Sequence, residues 1–207
     1  MFNIFNKKRK ISGEIGYYGL EEWWLTVFNN TERDHIEEVF QPMGGDSNSK
    51  PLTEGDLSYS SQSSAGLLHC LAGWFNKTGD REIAKKIIAK AYELALEGNN
   101  ILDLHFTLLQ KMEIYYRERD ADPKALHIAI KACEDQIKIA PQAAKQFRKE
   151  YPKDSLPGHT GYSQLAIILK KQGKFNDVVE LCQQAKKQGW SGNWDSRISE
   201  ARKKMSI

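Results

Sequence analysis

The histidines and cysteines, which could ligate a metal or act as acids and bases, are scattered along the chain. The five histidines are His35, His69, His105, His127 and His159, and no two of them are four residues apart. Adjacent residues on a helix point about 100° apart, so His69 and Cys70 are poorly placed to share a metal ion. We therefore interpret each histidine as a residue packed within the fold and predict no metal site.

Carboxylates are a second group that could do chemistry, and four of them lie close together near the N-terminus: Glu21, Glu22, Glu37 and Glu38. Paired carboxylates serve general acid–base catalysis when two helices bring them together. Solvated helix faces are the commoner role of such residues. The chain also lacks glycine-rich phosphate loops and the sequence signatures of zinc proteases, nucleophile elbows and EF-hands. We predict a protein that is not an enzyme and needs no cofactor, and keep as an alternative an enzyme with a site at the N-terminal hairpin.

Composition favours a folded protein without a membrane-spanning helix. The chain has 207 residues, 40% of them apolar, with five Trp and eight Phe, enough to form a core. No run of about 18 apolar residues occurs, and the early apolar residues Phe2, Ile4 and Phe5 are followed by the cations of residues 7–10. A cytoplasmic protein is expected, whose first ten residues are a frayed terminus or a weak contact with an anionic membrane.

Charge is divided unevenly between two regions. Residues 1–64 carry six basic and ten acidic residues, a net charge of −4, whereas residues 65–207 carry 24 and 17, a net charge of +7. This imbalance favours an acidic partner for the later region, contact between the two regions, or simply a solvated basic surface.

The elements that position these residues are predicted to be helices. Apolar residues at helical spacing indicate a hairpin over residues 19–41, whose second helix begins at Thr31. Residues 42–64 are rich in turn-forming residues and are interpreted as a mobile loop. Beyond them helical patterns follow one another, including a helix from Pro123 to Pro141, a polar helical segment from Gln142 to Tyr151, and a final helix with Trp194, Ile198, Ala201 and Met205. We divide the chain into residues 1–64 and 65–207.

The helices after residue 64 repeat a pattern of small and large apolar residues. Residues 159–192 carry it most fully, with Tyr162, Leu165, Ala166, Leu169, Gly173, Phe175, Val178 and Ala185. Residues 65–98 share the frame, and residues 106–139 share it loosely, with Glu113 and Asp120 in place of a small residue and Gly. This pattern resembles the 34-residue unit of the tetratricopeptide (TPR-like) family, over about residues 65–192. The N-terminal segment resembles no family.

The resemblance implies an all-α fold, a TPR-like α-solenoid of helical hairpins in a right-handed superhelix. An N-terminal helical hairpin and a C-terminal capping helix would complete it. The first helix of each unit would line a concave surface, so the implied partner-binding residues are His69, Asn76, Lys77, Gln110, Arg117, Ser163, Lys170 and Lys171, with Ile114 and Ile167 between them. The family members that clamp a C-terminal carboxylate need Lys and Asn where this chain has His69 and Gly73, which disfavours that specific partner.

The implied function is a protein-binding or peptide-binding adaptor that uses a basic concave surface and favours acidic ligands. Nucleic-acid binding by the basic later region is the main alternative, and self-association stays open. Four tryptophans are further candidates for an interface, because two adjacent ones cannot both face one core and two others flank a short loop. These are Trp23, Trp24, Trp190 and Trp194.

Overall fold

The computed structural model describes residues 11–43 and 49–206, and within these residues the chain is all-helical. Ten helices are present there, and the only β-type pairing is an isolated bridge between Gly158 and Ser191. The chain divides into two compact units, Met1–Ser64 and Ala65–Ile207. The N-terminal segment considered for membrane contact lies outside the described residues. In the described ranges, no helix combines the length and apolar character needed to cross a membrane.

Three short helices form the first unit: α1 (Gly13–Tyr17), α2 (Glu21–Val27) and α3 (Asn30–Val39). Helix α3 begins before Thr31, because Asn29 caps it. The Asn29 side chain accepts the backbone N–H of Glu32 at 2.9 Å, and the Glu32 carboxylate accepts the N–H of Asn29 at 3.0 Å. This capping box satisfies donors that the first turn leaves free, which is why the helix starts at this point.

Part of the segment predicted to be a mobile loop is hydrogen-bonded to α1. Backbone N–H groups of residues 12–15 donate to backbone carbonyls of residues 51–55 at 2.8–3.1 Å. Leu52 is fully buried in the core of the first unit, together with Ile15, Leu20, Trp24, Phe28, Ile36 and Phe40. Residues 51–55 therefore satisfy the free donors at the start of α1 and add to its core.

Seven helices form the second unit: α4 (Ser64–Trp74), α5 (Arg81–Glu97), α6 (Ile101–Tyr116), α7 (Pro123–Glu150), α8 (Thr160–Lys171), α9 (Phe175–Gln188) and α10 (Trp194–Met205). From α5 to α10, each helix packs against the next one in the chain, and α6 also contacts α8. Five alanines are at most 1% exposed: Ala72, Ala84, Ala91, Ala166 and Ala185. Their small side chains allow neighbouring helices to approach closely.

Helix α7 joins the predicted helix that ends at Pro141 with the predicted helical segment after it, because it continues through Pro141 to Glu150. A proline within a helix removes one backbone hydrogen bond and crowds the preceding turn. Here Pro141 is exposed, while the helix beyond it buries Ala143, Ala144 and Phe147. The apolar area buried by this last part offsets the cost of the proline, which explains why the two predicted segments form one helix.

Candidate functional site

The predicted binding residues of the second unit lie on or next to α4, α6 and α8, which form a row. The His69 ring on α4 lies 5.9 Å from that of Phe106 on α6, measured between centroids. A Cβ built on Gly73 of α4 would lie 3.5 Å from the Gln110 amide of α6. Helix α6 in turn contacts α8. The first helices of the three proposed repeat units are therefore neighbours.

At the α4 end of this row, the predicted residues offer little charge to a ligand. Burial lowers the pKa of His69, opposed by the charge of Asp103. Asn76 lies after the end of α4 and is only 8% exposed. The Lys77 ammonium forms an ion pair with Asp80 at 3.3 Å. Only Lys77 of the three predicted residues is exposed, and its charge is partly neutralised.

The central part of the row combines exposed and buried positions. Arg117 caps the C-terminus of α6 and is exposed, whereas Gln110 is half-buried beside Gly73. Ile114, which was placed on the binding surface, is fully buried. The face of α6 that carries Ile114 packs into the core, so Ile114 cannot contact a ligand. The prediction that Ile114 lies on the binding surface was wrong.

At the α8 end, the predicted residues surround one cavity. The cavity is about 370 Å³ and lies between α8 and α10, and the residues that shape its chemistry are Ile167, Lys170, Lys171, Asn193, Arg197 and Glu200. Predicted Ser163 lies at its edge, where its carbonyl accepts a hydrogen bond from Nη1 of Arg197 at 3.4 Å. We call this the α8–α10 cavity.

Ion pairing organises the charges of the α8–α10 cavity. Nζ of Lys170 lies 2.7 Å from Oε2 of Glu200, and this bond, with its charge, lowers the pKa of the Glu200 carboxyl. Nε of Arg197 donates to Oδ1 of Asn193 at 2.8 Å, which fixes the guanidinium. One carboxylate thus faces three cations, leaving a positive excess that can bind a carboxylate ligand by charge-assisted hydrogen bonds.

Arg197 and Asn193 belong to the site but were missed from the sequence. They lie at the start of α10, which was interpreted only as a capping helix with a charged outer side. The available signal was their spacing of four residues, which places both on one helix face. Nothing in the spacing indicated that this face would lie opposite Lys170.

The candidate interface tryptophans are mostly core residues. Trp24, Trp190 and Trp194 are 1%, 2% and 3% exposed, and only Trp23 is half-buried. Nε1 of Trp194 donates to the Trp190 carbonyl at 2.7 Å, which satisfies the indole in the interior. Burial removes three of the four from any binding surface, so their assignment to an interface was wrong. Trp74, on α4, is 41% exposed.

The second unit also contains a buried polar cluster, formed by His105, Gln136 and His159. Nε2 of Gln136 donates to the His105 carbonyl at 2.9 Å, and its Oε1 accepts the N–H of Gly161 at 2.8 Å. The two imidazole centroids are 5.1 Å apart. Burial lowers the pKa of His105 to about 4, and burial together with the neighbouring His105 lowers that of His159 to about 3. Neutral rings and a bonded amide make this cluster a structural link between α6, α7 and α8.

Within residues 11–43 and 49–206, no group of three or more His, Cys, Asp or Glu side chains is arranged to hold a metal ion. Comparisons with protein-family models, with curated proteins and with solved structures find no match for the chain. The TPR-like resemblance therefore depends on the residues that carry it, and function has to be argued from the geometry.

Proposed function

We propose that the chain is a non-catalytic adaptor that binds a protein or peptide on the surface formed by α4, α6 and α8. The observation that carries the proposal is the α8–α10 cavity. It joins Lys170, Lys171 and Arg197 around an open concavity with an apolar wall at Ile167. A small concave site with a few polar groups on an apolar lining is typical of ligand recognition.

A TPR-like arrangement of the second unit is part of this proposal. Successive helices that pack in chain order, a contact between alternate helices α6 and α8, and buried alanines at the repeat positions support it. Helix α7 departs from a regular unit, because 28 residues are about twice the length of α8 or α9. The proposed repeats are therefore uneven, with α10 as the terminal cap.

The charges favour an acidic ligand. Lys171 and Arg197 retain positive charge that Glu200 does not neutralise, since the Glu200 carboxylate is bonded to Lys170. A ligand carboxylate can accept from Lys171 and from the Arg197 guanidinium, while an adjacent apolar side chain packs on Ile167. The proposed ligand is a peptide segment that pairs an acidic residue or its C-terminal carboxylate with an apolar residue.

Fluorescence anisotropy with a labelled pool of short peptides that alternate acidic and apolar residues tests this proposal. Reversing two charges with Lys171→Glu and Arg197→Glu should weaken binding at least tenfold, because two attractive contacts become repulsive. Each single reversal, Lys171→Glu or Arg197→Glu, has Lys187→Glu as its matched control: this makes the same charge change at an exposed position of α9 outside the cavity, and binding should change less than twofold. Equal effects of the double variant and the control would refute the proposed site.

Nucleic-acid binding is the alternative, favoured by the net charge of +7 on residues 65–207. A labelled single-stranded RNA, titrated at several salt concentrations, separates the two functions. Nucleic-acid affinity that falls steeply with salt, together with no peptide binding, would favour this alternative. Saturable peptide binding with weak RNA binding supports the adaptor.

A further inference from the structure

The first unit contains a second cavity, separate from the surface proposed for peptide binding. Its volume is about 700 Å³, and it is bordered by the helical hairpin of α2 and α3, by Ser12 and by residues 50–54. Side chains that define its chemistry are Trp24, Leu25, Asp34, Glu37, Lys50 and Glu54. Cavities of this size hold small molecules or single side chains of a partner. We call it the hairpin cavity.

Glu37 is the unusual member of the hairpin cavity. It is 5% exposed, and its Oε1 accepts a hydrogen bond from the Thr53 hydroxyl. Its Oε2 has no donor among the described residues, and neither has the buried Oε2 of Glu14. Burial raises the pKa of both carboxyls, and the charge of Glu37 raises that of Glu14 further. Two carboxylates close enough to repel each other thus lie in the first unit with oxygens left unsatisfied.

The cations around the hairpin cavity leave this negative charge available. Arg33 lines the cavity and donates to the backbone carbonyls of Leu25 and Phe28 and to the Asn30 side chain, so its donors are occupied by neutral acceptors while its positive charge remains. Lys50 is exposed and attracts Glu37 by its charge, without a hydrogen bond among the described contacts. The carboxylates of Asp34, Glu37 and Glu54 outnumber the two cations Arg33 and Lys50 in the lining by one, so an entering cation meets a net negative charge.

The shape and lining of the cavity indicate an organic cation rather than a bare metal ion. A volume of about 700 Å³ far exceeds that of a single ion, and one wall is apolar. Leu25 belongs to that wall and is 50% exposed, so it is available for contact with a ligand. A ligand with an apolar stem and a positive head would cover Leu25 while approaching Glu37.

We propose that the hairpin cavity binds an ammonium or guanidinium group carried on a short apolar stem, with Glu37 as its charge partner and Leu25 as its apolar contact. The cation would supply the donor that the Glu37 carboxylate lacks when the side chain turns its buried Oε2 toward the cavity, and charged hydrogen bonds of this type are stronger than neutral ones. Asp34 and Glu54 add negative charge at the rim. This site is independent of the peptide surface on the second unit.

Titration of the full chain with butylguanidinium and butylammonium chlorides, followed by NMR, tests the proposal. Both cations should bind saturably, while sodium and calcium chlorides at matched ionic strength should not. Glu37→Gln preserves size and the contact with Thr53, and affinity should fall at least tenfold. Glu38→Gln is the matched control, because Glu38 is the next residue of α3, is exposed and is not part of the cavity wall. Its affinity should stay within twofold of that of the natural chain.

Two further variants distinguish weaker binding from a folding defect. A peptide probe then identifies the source of the cation. Asp34→Asn changes an exposed rim residue and should weaken binding two- to threefold, whereas Lys50→Ala removes the competing charge and should strengthen it by a similar factor. Tighter binding of a capped arginine tripeptide than of butylguanidinium identifies a partner side chain as the natural source, and equal affinity identifies a free small molecule. Calcium binding in place of the organic cations, no saturable binding, or equal affinities of Glu37→Gln and Glu38→Gln would overturn the proposal.

Discussion

Replacing Gln136 by Met should destabilise the second unit while keeping the volume of the side chain. Gln136 is 1% exposed and lies on α7, where its amide links the His105 carbonyl of α6 to the Gly161 N–H of α8. Methionine fills nearly the same space without either hydrogen bond. The substitution therefore separates the hydrogen bonds from the packing.

The expected loss of stability depends on which hydrogen bonds the two backbone partners of Gln136 retain after the substitution. The His105 carbonyl lies within α6 and can retain its helical hydrogen bond, so losing the Gln136 donor costs about 1 kcal/mol. The Gly161 N–H lies in the first turn of α8, where no helical acceptor exists, so it becomes a buried donor without a partner, at about 1–3 kcal/mol. We expect a total of about 2–4 kcal/mol.

Thermal and urea denaturation, followed by circular dichroism, measure this loss. A change of about 2–4 kcal/mol corresponds to a Tm lower by about 6–15 °C for a unit of this size. Gln142→Met is the matched control, since Gln142 is exposed on the same helix, and its stability should change by less than about 0.5 kcal/mol. A Gln136→Met protein as stable as this control would refute the assignment of Gln136 as a link between three helices.

Three other predictions concern buried titratable groups and one glycine. The pKa values of His105 and His159, lowered to about 4 and about 3, lie below the unfolded value of 6.5, so unfolding takes up protons and stability falls from pH 6.5 downward. Urea titrations should show a loss of about 1.4 kcal/mol per pH unit for each histidine, and His159→Asn should halve the slope. For Glu37 the raised pKa reverses the sign: the first unit loses stability as pH rises above 4.5, and Glu37→Gln should raise its Tm at pH 7. Gly13→Ala should destabilise the first unit more than Gly19→Ala. Both glycines have positive φ, but only at Gly13 would a Cβ meet backbone, 2.5 Å from the Pro51 carbonyl oxygen.

Each of these predictions has an outcome that contradicts it. Stability of the second unit that is constant between pH 6.5 and pH 4 would show that the imidazoles titrate normally and are not held neutral by burial. A lower Tm for Glu37→Gln would mean that the favourable interactions of the carboxylate with Thr53, Lys50 and the Leu52 backbone outweigh the cost of its burial. Equal losses for the two glycine variants would leave only the cost of positive φ, about 1–2 kcal/mol at each position.

Most of the helices could be predicted because apolar periodicity is a local signal. Leu68, Leu71, Ala72 and Phe75 recur at helical spacing and are all fully buried. At two places the local pattern left alternatives open and tertiary packing decided between them. Helix α7 passes through Pro141 because the last part of the helix reaches the core, and Trp190 and Trp194 fill the interior although they flank a loop.

The candidate sites could be predicted only in part, because they depend on partners distant in sequence. Lys170 and Lys171 of α8 both line the α8–α10 cavity, but the Glu200 carboxylate that neutralises Lys170 is 30 residues away. The sequence did not distinguish Glu37 from three other carboxylates near the N-terminus. The structure shows that Glu37 is the buried one among these four. Glu14 carried no signal, since its relation to Glu37 arises from the packing of the first unit.

Gln136 and Glu37 are both buried polar side chains. They differ in whether their polar atoms have hydrogen-bond partners, and this difference bears on what each residue does. Gln136 uses its amide donor and its acceptor on backbone groups of two other helices, so its burial is compensated and needs no ligand. Glu37 has one bonded oxygen and one without a donor, beside a cavity large enough for a ligand. A neutral side chain of the same size would avoid this cost, because an unsatisfied buried carboxylate opposes folding. The Glu37 carboxylate is therefore better explained by a cation that it binds than by the stability of the first unit.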